Sequence, residues 1–94
     1  MERIRVADIG GFEGREVELC GWLYNKRSSG KLHFLQLRDG SGVVQCVAFK
    51  GEIEPDQFER CSNIPQESSL IIRGEVRRDE RSPIGYELGV RHIE

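Results

Sequence analysis

The sequence has few of the residues on which covalent cross-links, metal sites and membrane spans depend. Its three cysteines, Cys20, Cys46 and Cys61, are odd in number and share no CxxC spacing, so neither a disulfide framework nor a zinc site is indicated. No stretch approaches the roughly 18 apolar residues of a membrane span, and the N-terminus is charged from Glu2 onward. We therefore expect a soluble, unexported protein of the reducing cytoplasm, with no membrane partner.

The side-chain patterns typical of catalytic sites are also missing. His33 and His92 lie far apart without metal-ligand spacing, and each is expected to be a surface or rim residue. No serine sits in a nucleophile elbow, and the Gly-Ser-Gly run at 40–42 is typical of a hairpin turn and not of a phosphate-binding loop. The chain by itself is therefore expected to be no enzyme and to need no cofactor or metal.

The charge of the chain is small in total but unevenly distributed. The chain has 94 residues, a length that predicts a single domain spanning residues 1–94. Its net charge is −2. Residues 21–49 have a surplus of three positive charges, whereas residues 50–67 have a surplus of three negative ones. A nucleic-acid partner requires a local basic face more than a positive total, so this class of partner stays open.

Alternating apolar and polar residues predict an all-β fold with one short helix. Pro55, Asp56 and the i, i+3 pair Phe58 and Cys61 indicate the helix, over residues 55–62, and a further helical turn is predicted over 6–10. The predicted strands are 16–25, 32–38, 43–49, 68–78 and 85–92. Three strands, a helix and two strands are the element order of the five-stranded Greek-key OB-fold barrel. A small sandwich is the second candidate, and an SH3-like barrel fits less well because it has no place for the helix.

Side-chain parity predicts which residues face solvent. In the second strand Leu35 and Leu37 point inward, so that Phe34 shares the outer face with polar neighbours. The same rule puts Arg73 and Arg77 outside on the fourth strand and Glu87 outside on the fifth. An outward ring among arginines, amides and carboxylates is typical of a surface that binds single-stranded nucleic acid. Trp22 and Tyr24 are expected to pack over the barrel wall instead.

Several stretches, in order and covering nearly the whole chain, resemble one family. They are EVELCGWL at 16–23, NKRSSGK at 25–31, FLQLRDGSG at 34–42, VQ at 44–45, QESS at 66–69, GEVR at 74–77 and RSPIGYEL at 81–88. The chain is similar to the N-terminal anticodon-binding domain of the class II aminoacyl-tRNA synthetases for aspartate, asparagine and lysine. The segments 27–42 and 81–88 are most similar to the asparagine enzymes, with the aspartate enzymes as the near alternative.

The resemblance implies an OB barrel that grips a splayed anticodon loop whose middle base is uridine. Phe34 matches the ring that stacks on that base, and Gln45 and Arg27 match residues that hydrogen-bond it. Glu87 matches a carboxylate that reads the first anticodon base, and Arg77 is a candidate for the third base or its phosphate. Lys31 and Arg73 complete the candidate nucleic-acid-binding residues.

The resemblance also implies that chemistry lies outside this chain. The family's catalytic domain, a partner within the same polypeptide, binds ATP and Mg²⁺, and no residues of it are present in this sequence. The chain is either an excised domain or a free-standing relative. Two other functions remain open: a general single-strand binder that uses the same outer face without reading bases, and a protein-interaction domain anchored by Trp22, Tyr24 and Phe34.

Overall fold

The computed structural model describes all of residues 1–94, and it contains six strands and two helices. In chain order the elements are β1 (Glu2–Ile4), a 3₁₀ helix (Val6–Phe12), β2 (Glu16–Ser29), β3 (Leu32–Arg38), β4 (Val43–Phe49), α1 (Pro55–Ser62), β5 (Ser69–Arg78) and β6 (Tyr86–Ile93).

The long strand β2 closes the barrel because it pairs along both of its edges. Its residues 16–22 pair antiparallel with β5, and its residues 22–29 pair antiparallel with β3. β3 pairs with β4, β4 pairs in parallel with β6, and β6 pairs with β5. The predicted five-stranded OB-fold barrel is therefore confirmed, and the structure shows that it is closed. In sequence, α1 lies between β4 and β5.

Two elements are longer than the sequence predicts and one strand was not predicted, whereas β5 and β6 differ from the prediction by one residue at most at each end. β2 continues to Ser29, so that the predicted loop at 27–31 shrinks to a turn at Gly30 and Lys31. The 3₁₀ helix extends to Phe12 and not only to residue 10. β1 was not predicted: it pairs in parallel with residues 17–19 of β2. These residues lie on the edge that β3 does not reach, so β1 satisfies backbone groups that would otherwise be left open.

The core fills the barrel and both of its ends. One cluster of 20 buried residues contains inward residues of every barrel strand, among them Leu19, Leu35, Ile72 and Leu88. At one end α1 buries Cys61 against this cluster, and at the other the 3₁₀ helix buries Val6 and Ile9. Burial raises the pKa of Cys61 to about 11, so its thiol stays protonated and behaves as a small apolar group.

His33 is buried, so its prediction as a surface or rim residue was wrong. Its side chain is 6% exposed, its Nδ1 lies 2.6 Å from Ser28 Oγ, and its ring lies 4.2 Å from the ring of Phe58 in α1. Burial, together with the nearby Lys26, lowers its pKa, so the neutral ring is the form that packs under the helix. The parity that turns Phe34 outward turns His33 inward.

The structure contains neither a membrane-spanning helix nor a metal cluster. No helix is long and apolar enough to cross a bilayer. No group of three or more histidine, cysteine or acidic side chains is arranged to hold a metal ion.

Asp39 ties the 3₁₀ helix to the β3–β4 turn. Its carboxylate accepts hydrogen bonds from the backbone N–H of Val6 at 2.8 Å and from the N–H and Oγ of Ser41 at 2.8 and 2.7 Å. Partial burial opposes ionisation of this carboxyl, but the hydrogen bonds outweigh burial and lower its pKa. The ionised form of Asp39 therefore stabilises the fold.

We expect Gly74→Ala to lower the free energy of unfolding by about 1 to 3 kcal/mol, measured by urea denaturation. A Cβ atom on buried Gly74 would collide with the backbone carbonyl oxygen of Gly89, where β5 and β6 cross closely. The control is Gly11→Ala, because nothing lies within 4 Å of the added atom there and the backbone needs no positive φ. Equal stability of the two variants would contradict the close approach.

Asp39→Asn is expected to cost about 1 to 2 kcal/mol of stability at neutral pH, because charge-assisted hydrogen bonds are lost. Since the folded pKa of Asp39 is below its unfolded value of 3.8, its stabilisation is present above that pH and is lost as the pH falls through the folded pKa. Urea unfolding of both proteins across this range should show the difference shrinking in acid. A difference that stays constant with pH would show that the ionised carboxylate is not responsible.

Candidate nucleic-acid interface

A β-bulge at Tyr24 changes which residues of β2 face outward. Up to Leu23 the odd-numbered residues point into the core, and strict alternation would turn Asn25 and Arg27 inward as well. The pairing instead skips Tyr24: Leu23 lies opposite Leu37, and Asn25 lies opposite Gln36. The extra residue shifts the alternation by one. Asn25 and Arg27 therefore lie on the same outer face as Gln36 and Phe34.

One row of polar side chains crosses the whole outer face of the barrel. Cross-strand pairing aligns Asn25 with Gln36, Gln36 with Gln45, and Glu87 with Arg77. Gln45 and Glu87 are also neighbours, since each precedes the paired residues of β4 and β6 by one position. The polar row is thus, in spatial order, Asn25, Gln36, Gln45, Glu87 and Arg77.

Phe34 lies beside the polar row, and Arg27 covers its ring. The Arg27 guanidinium carbon is 4.7 Å from the ring centroid, within the range of a cation–π interaction. Phe34 is half-buried, and the cover over its ring is this arginine, not a loop or the N-terminal turn. Unlike Arg73 and Arg77, Arg27 forms no ion pair, so its charge is available to a ligand.

The groove is the depression above Phe34 and the part of the polar row that lies on β2, β3 and β4, with a volume of about 510 Å³ on its side towards the β5–β6 loop. Glu87 and Arg77 do not line it. The sheet contributes its floor, and the loop after β5 contributes its far wall. Its lining residues are Asn25, Lys26, Arg27, Phe34, Gln36, Val43, Gln45, Asp79, Arg81, Ser82 and Pro83. The groove thus brings together Arg27, Phe34 and Gln45, which are predicted site residues from three different strands.

The amides on the groove floor are free to bind a ligand. The side chains of Gln36 and Gln45 are half-buried, and neither makes a hydrogen bond within the protein. An amide offers both a donor and an acceptor, and polar groups that are partly desolvated gain from a partner that supplies the complement. This arrangement fits the hydrogen-bonding edge of a planar heterocycle whose face lies on the ring of Phe34.

Glu87 and Arg77 form an ion pair at the far end of the polar row. Arg77 Nη2 lies 3.2 Å from Glu87 Oε2, and the guanidinium occupies the space above Gly89, where a side chain would clash with it. Burial raises the pKa of Glu87, and the carboxylate of Asp79 adds to that effect, whereas Arg77 and Arg81 oppose it. Some groups around Glu87 therefore favour its protonated form, and others favour its ionised form. A ligand that donates a hydrogen bond to the carboxylate would favour the ionised form.

Arg73 and Lys31 do not line the groove. Arg73 Nε lies 2.8 Å from Glu18 Oε1, and Arg3 binds the other oxygen of the same carboxylate, so three charges link β1, β2 and β5. These two arginines lower the pKa of Glu18. Lys31 is exposed in the β2–β3 turn, at the edge of the same sheet. The structure thus places Arg73 in an ion pair with Glu18 and not in the groove.

The structure adds lining residues that sequence reasoning did not select. Gln36 had the correct parity but no separate role, and Asn25 was placed at the end of a strand because nothing in the sequence marks the bulge. Asp79, Arg81 and Ser82 enter the groove through the β5–β6 loop, which reads in sequence only as a polar connection.

Trp22 and Tyr24 lie next to the groove and hold an arginine between them. The Arg38 guanidinium carbon is 5.3 Å from the Trp22 ring and 5.0 Å from the Tyr24 ring. Tyr24 is 44% exposed, so it covers the wall less completely than predicted. None of the three lines the groove.

Comparison with known proteins places this geometry in a family. Residues 17–94 match the model of the tRNA anti-codon family, which is described as an OB-fold nucleic acid binding domain. The asparagine–tRNA ligase of Symbiobacterium thermophilum is 49% identical over 94 residues, which are 100% of this chain and 22% of that protein. The Thermus thermophilus enzyme of the same name is 45% identical over 92 residues, 98% of this chain and 21% of its own.

A solved structure gives the same result. The asparaginyl-tRNA synthetase of Pyrococcus horikoshii superposes with a TM-score of 0.90 at 36% identity, covering 97% of this chain and 22% of that one. The chain spans about a fifth of the length of the relatives it matches. These matches confirm the OB-fold and the sequence-based resemblance. The chain belongs to the family of tRNA anticodon-binding OB-fold domains, of the type found in asparaginyl-tRNA synthetases.

Proposed function

We propose that this chain recognises the anticodon loop of a tRNA whose middle base is uridine, with that base stacked on Phe34. The observation that carries the proposal is the groove itself, which unites an aromatic ring, an unpaired arginine and two unpartnered glutamine amides. Single-stranded loops are read by stacking and by hydrogen bonds to base edges, and this set supplies both.

The chemistry of uracil fits the residues around Phe34. The uracil edge carries one N–H donor flanked by carbonyl acceptors, and the Gln45 amide offers an acceptor and a donor side by side. The Arg27 guanidinium, which donates only, can bind a second carbonyl oxygen or a phosphate once it leaves the ring. A base stacked on Phe34 takes the place of this guanidinium, so the arginine becomes free when the ring is occupied.

The adjacent carboxylate supports a role at the first base. Glu87 lies next to Gln45 in the polar row and is half-buried beside Arg77, so we propose that it accepts hydrogen bonds from that base. Arg77 holds the Glu87 carboxylate in place and neutralises part of its negative charge. The repulsion between this carboxylate and the RNA phosphates is thereby reduced. This division of roles keeps an acidic group near a polyanion without a large electrostatic cost.

We further propose that the chain acts as the recognition part of a longer asparagine–tRNA ligase in the cytoplasm. The relatives that it matches are about five times as long, and residues outside this chain would carry the chemistry that uses ATP and Mg²⁺.

Phe34→Ala is expected to weaken binding of an anticodon stem-loop with a middle uridine by about 1 kcal/mol or more. Changing the middle uridine to cytidine should cost a similar amount, because Arg27 can only donate and would meet an amino group where uracil has a carbonyl oxygen. The two losses should not add, because a base that is not held on the Phe34 ring is not placed for Arg27 and Gln45 to bind its edge. The measurement is a fluorescence titration of this chain at fixed low salt with both RNAs, repeated with the variant.

The matched control is Phe49→Ala, which removes an exposed ring of β4 that does not line the groove. It should leave both affinities unchanged. If the two RNAs bind equally to the parent chain and to Phe34→Ala, base reading at this face is wrong. Strong salt dependence without base preference would then indicate a general single-strand binder, and no RNA binding at all would favour a protein partner.

A further inference from the structure

Asn25 differs from the other amides of the polar row because its orientation is fixed. The backbone N–H of Lys26 lies 2.9 Å from Asn25 Oδ1. A backbone N–H can only donate, so the atom that faces it must be the carbonyl oxygen of the side chain. The amide nitrogen is then the group left for a ligand, and it makes no hydrogen bond within the protein. Gln36 and Gln45 have no such constraint.

The β-bulge explains why this constraint exists. Bulged residues leave backbone groups out of the ladder and redirect the side chains beside them. At this site the bulge lies between Leu23 and Asn25, and the Asn25 side chain takes up the N–H of Lys26. The bulge therefore both turns Asn25 outward and fixes which of its atoms is presented.

We propose that Asn25 reads the third base of the anticodon and selects a base that presents a carbonyl oxygen, uracil over cytosine. This inference rests on the proposed function, which places the middle base at Phe34 and Gln45 and the first base at Glu87. The polar row orders these residues Glu87, Gln45, Gln36, Asn25. Continuing in the same direction, the third base meets Gln36 and Asn25.

The distances along the row are compatible with three splayed bases. Neighbouring strands are about 4.8 Å apart, so Asn25 and Glu87, three strand steps apart, are separated by roughly 14 Å. Arg77 lies beyond Glu87, at the opposite end from Asn25. A side chain at that end is therefore nearer to the first base than to the third.

The selectivity follows from the chemistry of the two pyrimidines. At the position where uracil has a carbonyl oxygen, cytosine has an amino group. The fixed side-chain N–H of Asn25 donates a hydrogen bond to the carbonyl oxygen of uracil. Opposite cytosine it faces an amino group, which is also a donor, so no hydrogen bond forms. Gln36 can rotate its amide to suit either base, so it adds affinity without preference.

The test is a set of titrations at fixed low salt with anticodon stem-loops that differ only in the third base. The parent chain should bind the uracil form about tenfold more tightly than the cytosine form. Asn25→Ala should reduce that ratio to about one. Asn25→Asp keeps an oxygen for the Lys26 N–H but presents an acceptor, so the ratio should turn towards cytosine, whose amino group donates to carboxylates. Gln36→Ala should weaken the binding of both RNAs and leave the ratio of their affinities unchanged.

The readout is the ratio of the affinities for the uracil and cytosine RNAs. A loss of affinity that comes only from altered charge or stability affects both RNAs equally and cancels in this ratio. A third RNA, with the middle uridine changed, separates the two levels of the argument. If the parent chain discriminates the middle base but not the third, or if Asn25→Asp keeps the uracil preference, the role of Asn25 is wrong and the proposed function stands. If the parent chain does not discriminate the middle base either, both are wrong.

Discussion

The outer face of this barrel depends on one extra residue in one strand. β2 must pair with β5 along its first half and with β3 along its second, and its core-facing residues alternate strictly up to Leu23. Without the bulge at Tyr24 the same alternation would bury Arg27 and expose Lys26 and Ser28. With it, Lys26 turns towards α1, where its Nζ donates to the carbonyl oxygens of Ser62 and Ile64 at the end of the helix. A single local irregularity thus serves both the groove and the packing of the helix.

The arginines show how a chain with a net charge of −2 can present a basic site. Most of them are engaged with carboxylates, as in the links from Arg3 and Arg73 to Glu18 and from Arg77 to Glu87. Surface pairs of this kind contribute little stability individually, but they cancel charge locally. Arg27 is different because its partner is an aromatic ring. Arg27 therefore gives the groove a positive charge that no ion pair offsets.

Periodicity predicted the barrel from the sequence because every core strand repeats with period two, and the bounds of β3, β4 and α1 agree with the structure. Parity placed Phe34, Gln36 and Glu87 on the outer face for the same reason. Arg27 was identified through the resemblance alone. Parity gave Gln45 only weak support, because the residues of β4 that share its face are apolar. The bulge and the short β1 were missed because each depends on pairing with another strand. The inward direction of His33 follows from the parity of β3 and was overlooked, and only its contact with Phe58 depends on an element that is distant in sequence.

Because the Arg27 guanidinium lies over Phe34, a base that stacks there as proposed would have to displace it. In the free protein the Phe34 ring is half-buried and already has a partner, the Arg27 guanidinium. Under the proposed function, a base that stacks on Phe34 gains only the difference between its own stacking and the interaction it displaces. Because the displaced contact is the same for every base, it lowers the affinity for all bases alike, and discrimination comes from the hydrogen bonds at the base edge alone.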